Sequence, residues 1–367
     1  MVRLVITVTL TVAVAGAADV RAATEGFVTI KAPFGGALSV DFEKAGAAGL
    51  NGLLLFELIV RGVKTGKGIR SEWRSEYVVC DFDNGDIFYL GPIKAGWRNK
   101  PFGVSRIQRK VIFSYWVPGK EGLGKYDIRS KKAVKLYEDD GALWGELYDP
   151  CNDSVFFTST TPVGIGNDLI TSGTCLRRVN LTTGEVFDVM GPRDRAGAIA
   201  IAGEARLVLL TKNPYKFEHI RGNEFREVRS LYDELILTDF NGSIIKNFGR
   251  LISARIGSEA EAFLASNGSF ACLEGSALSF VNDPKGPGYY SIFVVSNAGR
   301  IKRVIKRGGG GRDFYLSPDN KFVALVKSDE KERGYYSMSV VNIADGCVLK
   351  DVIRGPVNGR INFIAWN

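Results

Sequence analysis

Two phrases, about fifty residues apart, constrain this chain most: "GYYSIFVVSNAGR" from Gly288 and "GYYSMSVVNIADG" from Gly334. The stretches that precede them, "LASNGSFACLEGS" from Leu264 and "LSPDNKFVALVKS" from Leu316, align without a gap. Each of these reads as a strand, a polar turn and a second strand rich in β formers. The GYYS strand, a tight turn and a fourth strand follow. A unit restated at such a period cannot bury its apolar face alone, so its copies must stack on one another.

The pattern continues toward the N-terminus. "IAGEARLVLLTK" from Ile201 and "LILTDFNGSIIKNF" from Leu235 supply one copy. "LYDPCNDSVFFTST" from Leu147 and "RRVNLTTGEVFDV" from Arg177 supply another, the latter close to "SVVNIADGCVLKDV" from Ser339. "KVIFSYW" from Lys110 leads to "KYDIRSKKAVKLY" from Lys125, and "LLLFELIV" from Leu53 leads to "YVVCDFDNGDIFYL" from Tyr77. Six copies of the third-strand, turn, fourth-strand unit result. Five carry a turn glycine: Gly85, Gly184, Gly242, Gly299 and Gly346. Two-residue hairpins with φ > 0 are the expectation there. The remaining turn, Arg129-Ser130-Lys131-Lys132, has no glycine.

Four antiparallel strands at this interval predict an all-β fold, a six-bladed β-propeller. The first copy lacks an inner strand before Leu53, whereas "INFIAWN" from Ile361 aligns with an inner strand that has no blade. The expectation is that the C-terminal strand completes blade 1 and leaves no open edge. Residues 51–367 would form one propeller domain. Residues 24–50, with "FVTIKAPFGGALSVDF", would be an N-terminal extension, or a seventh blade.

The "LSPDNKFVALV" and "VVNIADG" phrases resemble the TolB-like and YVTN class of bacterial propeller repeats. The likeness is good over residues 312–367, fair over 260–310 and weak before about residue 140. The tryptophan-aspartate dipeptide of WD40 blades is absent. The resemblance implies an envelope or secreted propeller used as a binding platform.

Arg3, the apolar run Leu4 to Ala15 and the small-x-small steps Ala15-Gly16-Ala17 and Val20-Arg21-Ala22 read as a signal peptide over residues 1–23. The alternative is a first core strand. The run is well short of the ~20 residues needed to span a bilayer. Periplasmic or secreted localisation follows. Export leaves an odd thiol among Cys80, Cys151, Cys175, Cys272 and Cys347. Either Cys151 and Cys175 bridge neighbouring strands, or all five are buried small hydrophobes. Glycosylation sequons start at Asn152, Asn180, Asn241 and Asn267.

Blade topology places the tight turns on one face. The second-to-third loops Arg61–Glu76, Val117–Gly124, Thr161–Gly173, Asn213–Ser230, Ala277–Gly288 and Asp329–Gly334 fall on the other, which marks that face as functional. The interblade connections on the same face carry Arg98 with Lys100, Arg193 with Arg195, Arg250 with Arg255, Arg307 with Arg312, and Arg354 with Arg360. The exception is "YEDDGALWGE", with Asp139, Asp140 and Glu146. These arginines are the candidate ligand-binding residues. A broken basic ring at a channel mouth would recognise a carboxylate, a phosphate or an acidic peptide through bidentate guanidinium pairing. The plainer alternative is solvated arginines, some held by Asp194 and Asp313.

The net charge of +8 favours acidic partners without requiring nucleic acid. "RIKRVIKR" from Arg300 falls on an outermost strand, where alternating charge resists sheet-to-sheet aggregation. It has no interleaved stacking aromatics. "GGGG" at Gly308 to Gly311 reads as a flexible connection and lacks the Walker pattern. The single histidine, His219, lies in what reads as a polar loop, and no GxSxG or HExxH motif is present. The chain is therefore expected to be a monomeric, non-catalytic binding module for a protein or acidic ligand. It would have no cofactor, no nucleic-acid partner and no membrane span. The alternative is a Ca²⁺-dependent hydrolase or lyase using oxygens such as Asp149, Glu261 and Asp313. A third reading is an assembly scaffold that works through its blade edges.

Overall fold

A computed structural model describes residues 20–21, 27–32, 36–61, 73–96, 98–165, 169–203, 205–213, 215–221, 224–229, 233–253, 262–265, 270–272, 277–280, 289–295, 301–309, 314–317, 321–328, 335–356 and 359–367. The described residues are built from antiparallel strands and one short helix, Phe42–Ala47. No helix is long and apolar enough to cross a membrane. Contacts divide the chain into two units, residues 1–92 with 310–366, and residues 93–309 with 367.

In the first unit, Gly359–Trp366, Leu53–Arg61, Trp73–Asp81 and Asp86–Gly91 form one four-stranded sheet in that order. Gly359 pairs with Val60, Asn362 with Glu57, and Trp366 with Leu54. A second sheet runs through Phe314–Leu316, Phe322–Ser328, Tyr335–Asn342 and Val348–Pro356. Residues 24–50 do not form a separate sheet there. Their hairpin, Phe27–Ala32 with Gly36–Asp41, adds to the edge of that sheet through Val40 opposite Ile353 and Ser39 opposite Arg354. Val20–Arg21 pairs on the hairpin's far side.

In the second unit, Arg98–Ser105, Lys110–Val117, Lys120–Asp127 and Ala133–Asp139 form one four-stranded sheet. Leu143–Asp149, Ser154–Ile165, Leu169–Asn180 and Val186–Met190 form the next. Ala196–Ala202, Leu207–Lys212, Glu234–Asp239 and Ile244–Ser253 follow, joined at the last strand to Ala262–Ala265 and Phe270–Cys272. Ala277–Phe280, Tyr289–Val295 and Ile301–Gly309 make a three-stranded sheet with the Arg303-containing strand at its edge.

The apolar runs explain the stacking. A sheet buried on both faces reads as a continuous apolar run rather than an alternating one. "SVFF" shows this: Val155 and Phe157 pack with Ile112, Leu123, Leu143 and Val179, while Phe156 packs with Leu176, Val208, Leu210 and Phe240. In the first unit, Leu54, Phe56, Val78 and Cys80 pack against Phe322, Ala324, Met338 and Val340. Each fully buried side chain of this size contributes roughly 1.5–3 kcal/mol.

The tight turns differ from the expectation. They are not two-residue hairpins. Asp81, Asp127, Asn180 and Asn342 each open a four-residue loop whose last residue has positive φ: Gly85 (70°), Lys131 (56°), Gly184 (76°) and Gly346 (76°). The Asp239 turn is one residue shorter and ends on Gly242 (84°). The opening side chain holds the loop by accepting backbone N–H groups, as Asp127 does from Arg129 at 3.1 Å and Ser130 at 2.7 Å. A loop built on a type I turn needs only one left-handed residue, so lysine is tolerated where the other copies use glycine. Gly299 lies outside the described residues.

The residue after the opener is buried in four copies, as Phe82, Ile128, Leu181 and Phe240, and half-buried in the fifth, Ile343. In four copies its N–H bonds the residue just before the second strand of the same sheet, which in three of them lies in the first-to-second turn. Phe82 donates to Gly52 O at 3.0 Å, Ile128 to Arg109 O at 3.2 Å, Leu181 to Asp153 O at 2.9 Å and Ile343 to Lys321 O at 2.8 Å. In those three sheets the two turns are thereby stitched together.

At the other end, several expected loops are strands. Val117–Gly124 reduces to a two-residue turn at Pro118 and Gly119. Thr161–Gly173 belongs mostly to a long hairpin in unbroken register from Ser154 opposite Asn180 to Ile165 opposite Leu169. Asn213–Ser230 contains a separate hairpin, Tyr215–Arg221 with Glu224–Arg229, so His219 is on a strand. The physical reason is simple: once two strands diverge from a sheet, continuing their ladder satisfies backbone groups that a loop would expose.

Candidate functional site

The tight-turn end of the second unit is closed by hydrogen bonds. Asp153 is 7% exposed. Its carboxylate accepts from Ser105 Oγ at 3.0 Å, Tyr148 OH at 3.0 Å and Thr182 Oγ1 at 3.3 Å, and from the Gln108 amide. Lys125 Nζ donates to Gln108 Oε1 at 3.1 Å and Leu181 O at 2.6 Å. Burial lowers the lysine's pKa, with Lys110 adding to the effect and Asp153 opposing it. Asp149 spends its oxygens on its own turn, accepting from Cys151 N at 3.1 Å and Asn152 Nδ2 at 2.9 Å. Burial raises its pKa, opposed by those same donors. These groups hold sheets together and leave little capacity for a ligand.

The opposite end is different. A cavity of about 260 Å³ is lined by Trp144, Thr174, Arg195, Ala196, Gly197, Thr211, Asn213 and Asp233. Trp144 is the second residue of the first strand of one sheet, and Ala196 opens that of the next. Ala196 lies opposite Lys212 and Gly197 opposite Thr211, so Arg195 sits across from Asn213. The Asn213 N–H donates to Asp194 O at 3.2 Å, which fixes that crossing. Arg195 has φ +45°, outside the ordinary region for a side-chain-bearing residue. Of the other such residues described, Arg109, Lys131, Asp153 and Arg206 lie in tight turns and Asp351 in a bulged strand. Backbone strain of this kind persists only where the surroundings enforce it.

The polar groups in the cavity have defined roles. Asn213 Nδ2 donates to Asp233 Oδ1 at 2.8 Å. A carboxylate only accepts, so this bond orients the amide and turns Asn213 Oδ1 the other way. That oxygen is buried and accepts no hydrogen bond among the described residues. Asp194, next to Arg195, is engaged by Lys212 Nζ at 2.6 Å. Trp144 is 42% exposed, an unusual state for so large an apolar side chain on the first strand of a sheet. The arrangement offers an aromatic wall, a guanidinium, a carboxylate and a buried acceptor within one small space.

The nine predicted arginines are distributed as follows. Arg195 lines the cavity, and Arg193 is exposed in the turn beside it. Arg98 is exposed on Arg98–Ser105, opposite Trp116. Arg354 is on Val348–Pro356 rather than in a connection, and its guanidinium stacks 3.9 Å from the Phe27 ring centroid. Arg250, Arg307 and Arg360 are also on strands, because these strands run further than their sequences suggested. Arg255 and Arg312 lie outside the described residues. Lys100 contacts Glu146 at 3.4 Å, and Asp139 is held by Arg177 at 2.9 Å.

Among the described residues, no group of three or more His, Cys, Asp or Glu side chains is placed to hold a metal ion. Of the suggested oxygens, Glu261 and Asp313 lie outside the described residues. Cys80, Cys151, Cys175 and Cys347 are in no disulfide; Cys80 and Cys175 are buried, whereas Cys151 and Cys347 are exposed, so the expectation of five buried thiols does not hold either. The proposed Cys151–Cys175 bridge is therefore not formed, and Cys175 Sγ instead donates to Met190 O at 3.0 Å. Trp144, Asn213 and Asp233 were not among the expected site residues. The available signal was Trp144 itself, a large aromatic in "GALWGE".

No family model and no curated protein matches the sequence. Solved β-propellers do match the fold. TolB from Acinetobacter baumannii is 12% identical with a TM-score of 0.49, covering 88% of this chain and 69% of that one. An oligogalacturonate lyase in complex with manganese is 13% identical with a TM-score of 0.42, covering 88% and 82%. The β-propeller domain of the trilobed protease from Pyrococcus furiosus is 10% identical with a TM-score of 0.42, covering 82% and 92%. The similarity is that of a TolB-like propeller repeat fold at low identity, and it extends to the fold alone.

Proposed function

We propose that this chain is an exported, six-bladed β-propeller that acts as a non-catalytic binding module for a carboxylate-bearing ligand. Pairing of Gly359–Trp366 with Leu53–Arg61 would close the ring. The six sequence copies, five of them with an Asp- or Asn-opened turn, support the blade count. Arg3 and the apolar run after it support export.

One observation carries the functional reading: of the predicted arginines, Arg195 lines a cavity at the end of the sheets that bears the connections and projecting hairpins. A guanidinium at a concave, partly desolvated site pairs with a carboxylate far more strongly than one in open solvent. Arg193 and Arg98, both exposed, add long-range attraction.

The test is calorimetric titration of the mature chain with a panel of small carboxylates and acidic peptides, at low and high salt. Arg195→Glu is expected to weaken any ligand found by more than tenfold, since one charge-assisted pair becomes a repulsion. Arg193→Glu should change affinity less and lower mainly the association rate. An affinity untouched by Arg195→Glu would remove the basis of this reading.

A further inference from the structure

One sheet end carries a surface that the cavity does not use. The sheet of Arg98–Ser105, Lys110–Val117, Lys120–Asp127 and Ala133–Asp139 has two tight turns. They read "RIQRK" from Arg106 and "IRSKKAV" from Ile128. We propose that this end docks on an anionic lipid surface. Ile107 enters the headgroup layer, and the cations around it face the lipid phosphates.

Charge is the first ground. Arg106, Arg109 and Lys110 come from the first turn and its exit, and Arg129, Lys131 and Lys132 from the second. The Ile128 N–H donates to Arg109 O at 3.2 Å, so the two turns lie side by side. Arg106, Arg129, Lys131 and Lys132 are exposed, and Arg109 and Lys110 are half-buried. The acid that opens the second turn, Asp127, spends its carboxylate on the N–H groups of Arg129 at 3.1 Å and Ser130 at 2.7 Å. Lys135, just beyond, is already held by Glu138 at 2.7 Å and is not counted. The other described turns of this kind, opened by Asp81, Asn180, Asp239 and Asn342, contain no lysine or arginine, and three of them add Asp83, Glu185 or Asp345. The basic surface is therefore a property of this one sheet end and not of the repeat. Clustered cations are drawn to an anionic bilayer roughly in proportion to their number, within a Debye length of it.

Shape is the second ground. Ile107 is 72% exposed at the tip of its turn, and Val134, just past the second turn, is 52% exposed. A protein partner would need a pocket cut to fit a projecting isoleucine. A bilayer accepts one without a pocket, while lysine and arginine stems lie along the apolar boundary and keep their charged heads at the phosphates. Nucleic acid is a poorer match, because neither turn offers an aromatic ring for bases to stack on.

The backbone is the third ground. Lys131 has φ +56° where the equivalent position is Gly85, Gly184, Gly242 or Gly346. A left-handed lysine is strained where glycine is not, and the exchange adds one more cation to the surface. Ser105 and Gln108 bond Asp153 of the next sheet, and Lys125 bonds Leu181 O, so the docking end is braced. Docking there would leave the Arg195 cavity, at the opposite end of the neighbouring sheets, facing away from the lipid.

The experiment is co-sedimentation of the full mature chain, without the apolar run after Arg3, with two kinds of vesicle. One holds phosphatidylglycerol and phosphatidylcholine in equal parts, the other phosphatidylcholine alone. Binding is expected to the mixed vesicles only, and to fall as salt rises. Arg129→Glu combined with Lys132→Glu should lower partitioning by more than about tenfold. Lys131→Gly should lower it by about fivefold while the thermal midpoint holds or rises, so that lost binding is not lost folding. Ile107→Ser should lower it by about fivefold, and the emission of Ile107→Trp should shift to the blue on mixed vesicles alone. A short DNA oligonucleotide and polyglutamate serve as soluble polyanions, and neither should displace the chain from mixed vesicles at physiological salt. If neither vesicle binds, or both bind equally, the proposal is overturned. If a soluble polyanion binds through Arg129 and Lys132 and Ile107→Ser changes nothing, the surface takes polyanions in solution and the lipid assignment is overturned.

Discussion

The two ends of the sheets in the second unit use polar residues in opposite ways. At the tight-turn end, Asp153, Lys125, Gln108, Ser105 and Tyr148 satisfy one another, and the turns are stitched by backbone bonds. At the other end, Asn213 Oδ1 is buried and accepts no hydrogen bond among the described residues, and Trp144 is exposed. The proposed ligand site lies at the second end, where Arg195 lines the cavity.

The largest effect that could break this contrast is at Asp153. Asp153→Ala removes four acceptor contacts and puts alanine at φ +46°. It should lower unfolding stability by about 3 kcal/mol, read as a lower urea midpoint at unchanged slope. A loss below about 1 kcal/mol would mean that the network is incidental.

Lys131→Gly comes next and has the opposite sign. Lysine at φ +56° carries strain that glycine lacks, partly offset by the entropy of the glycine chain. A gain of about 0.5–1 kcal/mol is expected, and a loss would show that this turn departs from its glycine-bearing copies.

A smaller effect is acid-dependent. The Ser130 N–H, helped by its hydroxyl and by Arg129, holds the Asp127 carboxyl below its ordinary pKa against a modest opposing burial. A depressed carboxyl contributes stability that is present above the unfolded value, near 3.8, and is lost as pH falls through the folded value. The equivalent openers Asn180 and Asn342 do not titrate. Asp127→Asn should therefore flatten the fall in urea midpoint below pH 4, and an unchanged acid limb would refute the assignment.

The smallest stability effect is expected at Trp144. Its truncation to alanine should cost less than about 1 kcal/mol, since much of the ring is already in water. If Trp144→Ala destabilises as strongly as Asp153→Ala, both ends are structural and the contrast disappears.

How much the sequence revealed follows the same division. Turn openers and turn glycines recur because each copy must solve one local problem, and local geometry leaves a local signature. That is why Asp81, Asp127, Asn180, Asp239 and Asn342 align, and why Lys131 could be placed although it lacks the expected residue type. The pocket was legible only at Arg195. Trp144, Asn213 and Asp233 belong to different strands and meet through stacking and register, which no short motif records. The long hairpins were hidden for a related reason. Polar and glycine-bearing stretches such as "TPVGI" have weak strand preference, yet they extend a ladder already begun by Val155, Phe156 and Phe157.

The pairing of Gly359–Trp366 with Leu53–Arg61 also governs timing. Asn362 bonds Glu57 at 2.8 Å across a separation of 305 residues. Closing so long a loop is entropically slow compared with zipping the hairpin next door. During synthesis, Leu53–Arg61 is therefore expected to pair first with Trp73–Asp81 and to keep its other edge open until Gly359–Trp366 has been made. An unpaired edge this apolar is a template for strands from other molecules. The protein's window of greatest aggregation risk is thus set by its slowest contact, and refolding yield should depend on chain concentration more steeply than the stability of the finished molecule would suggest.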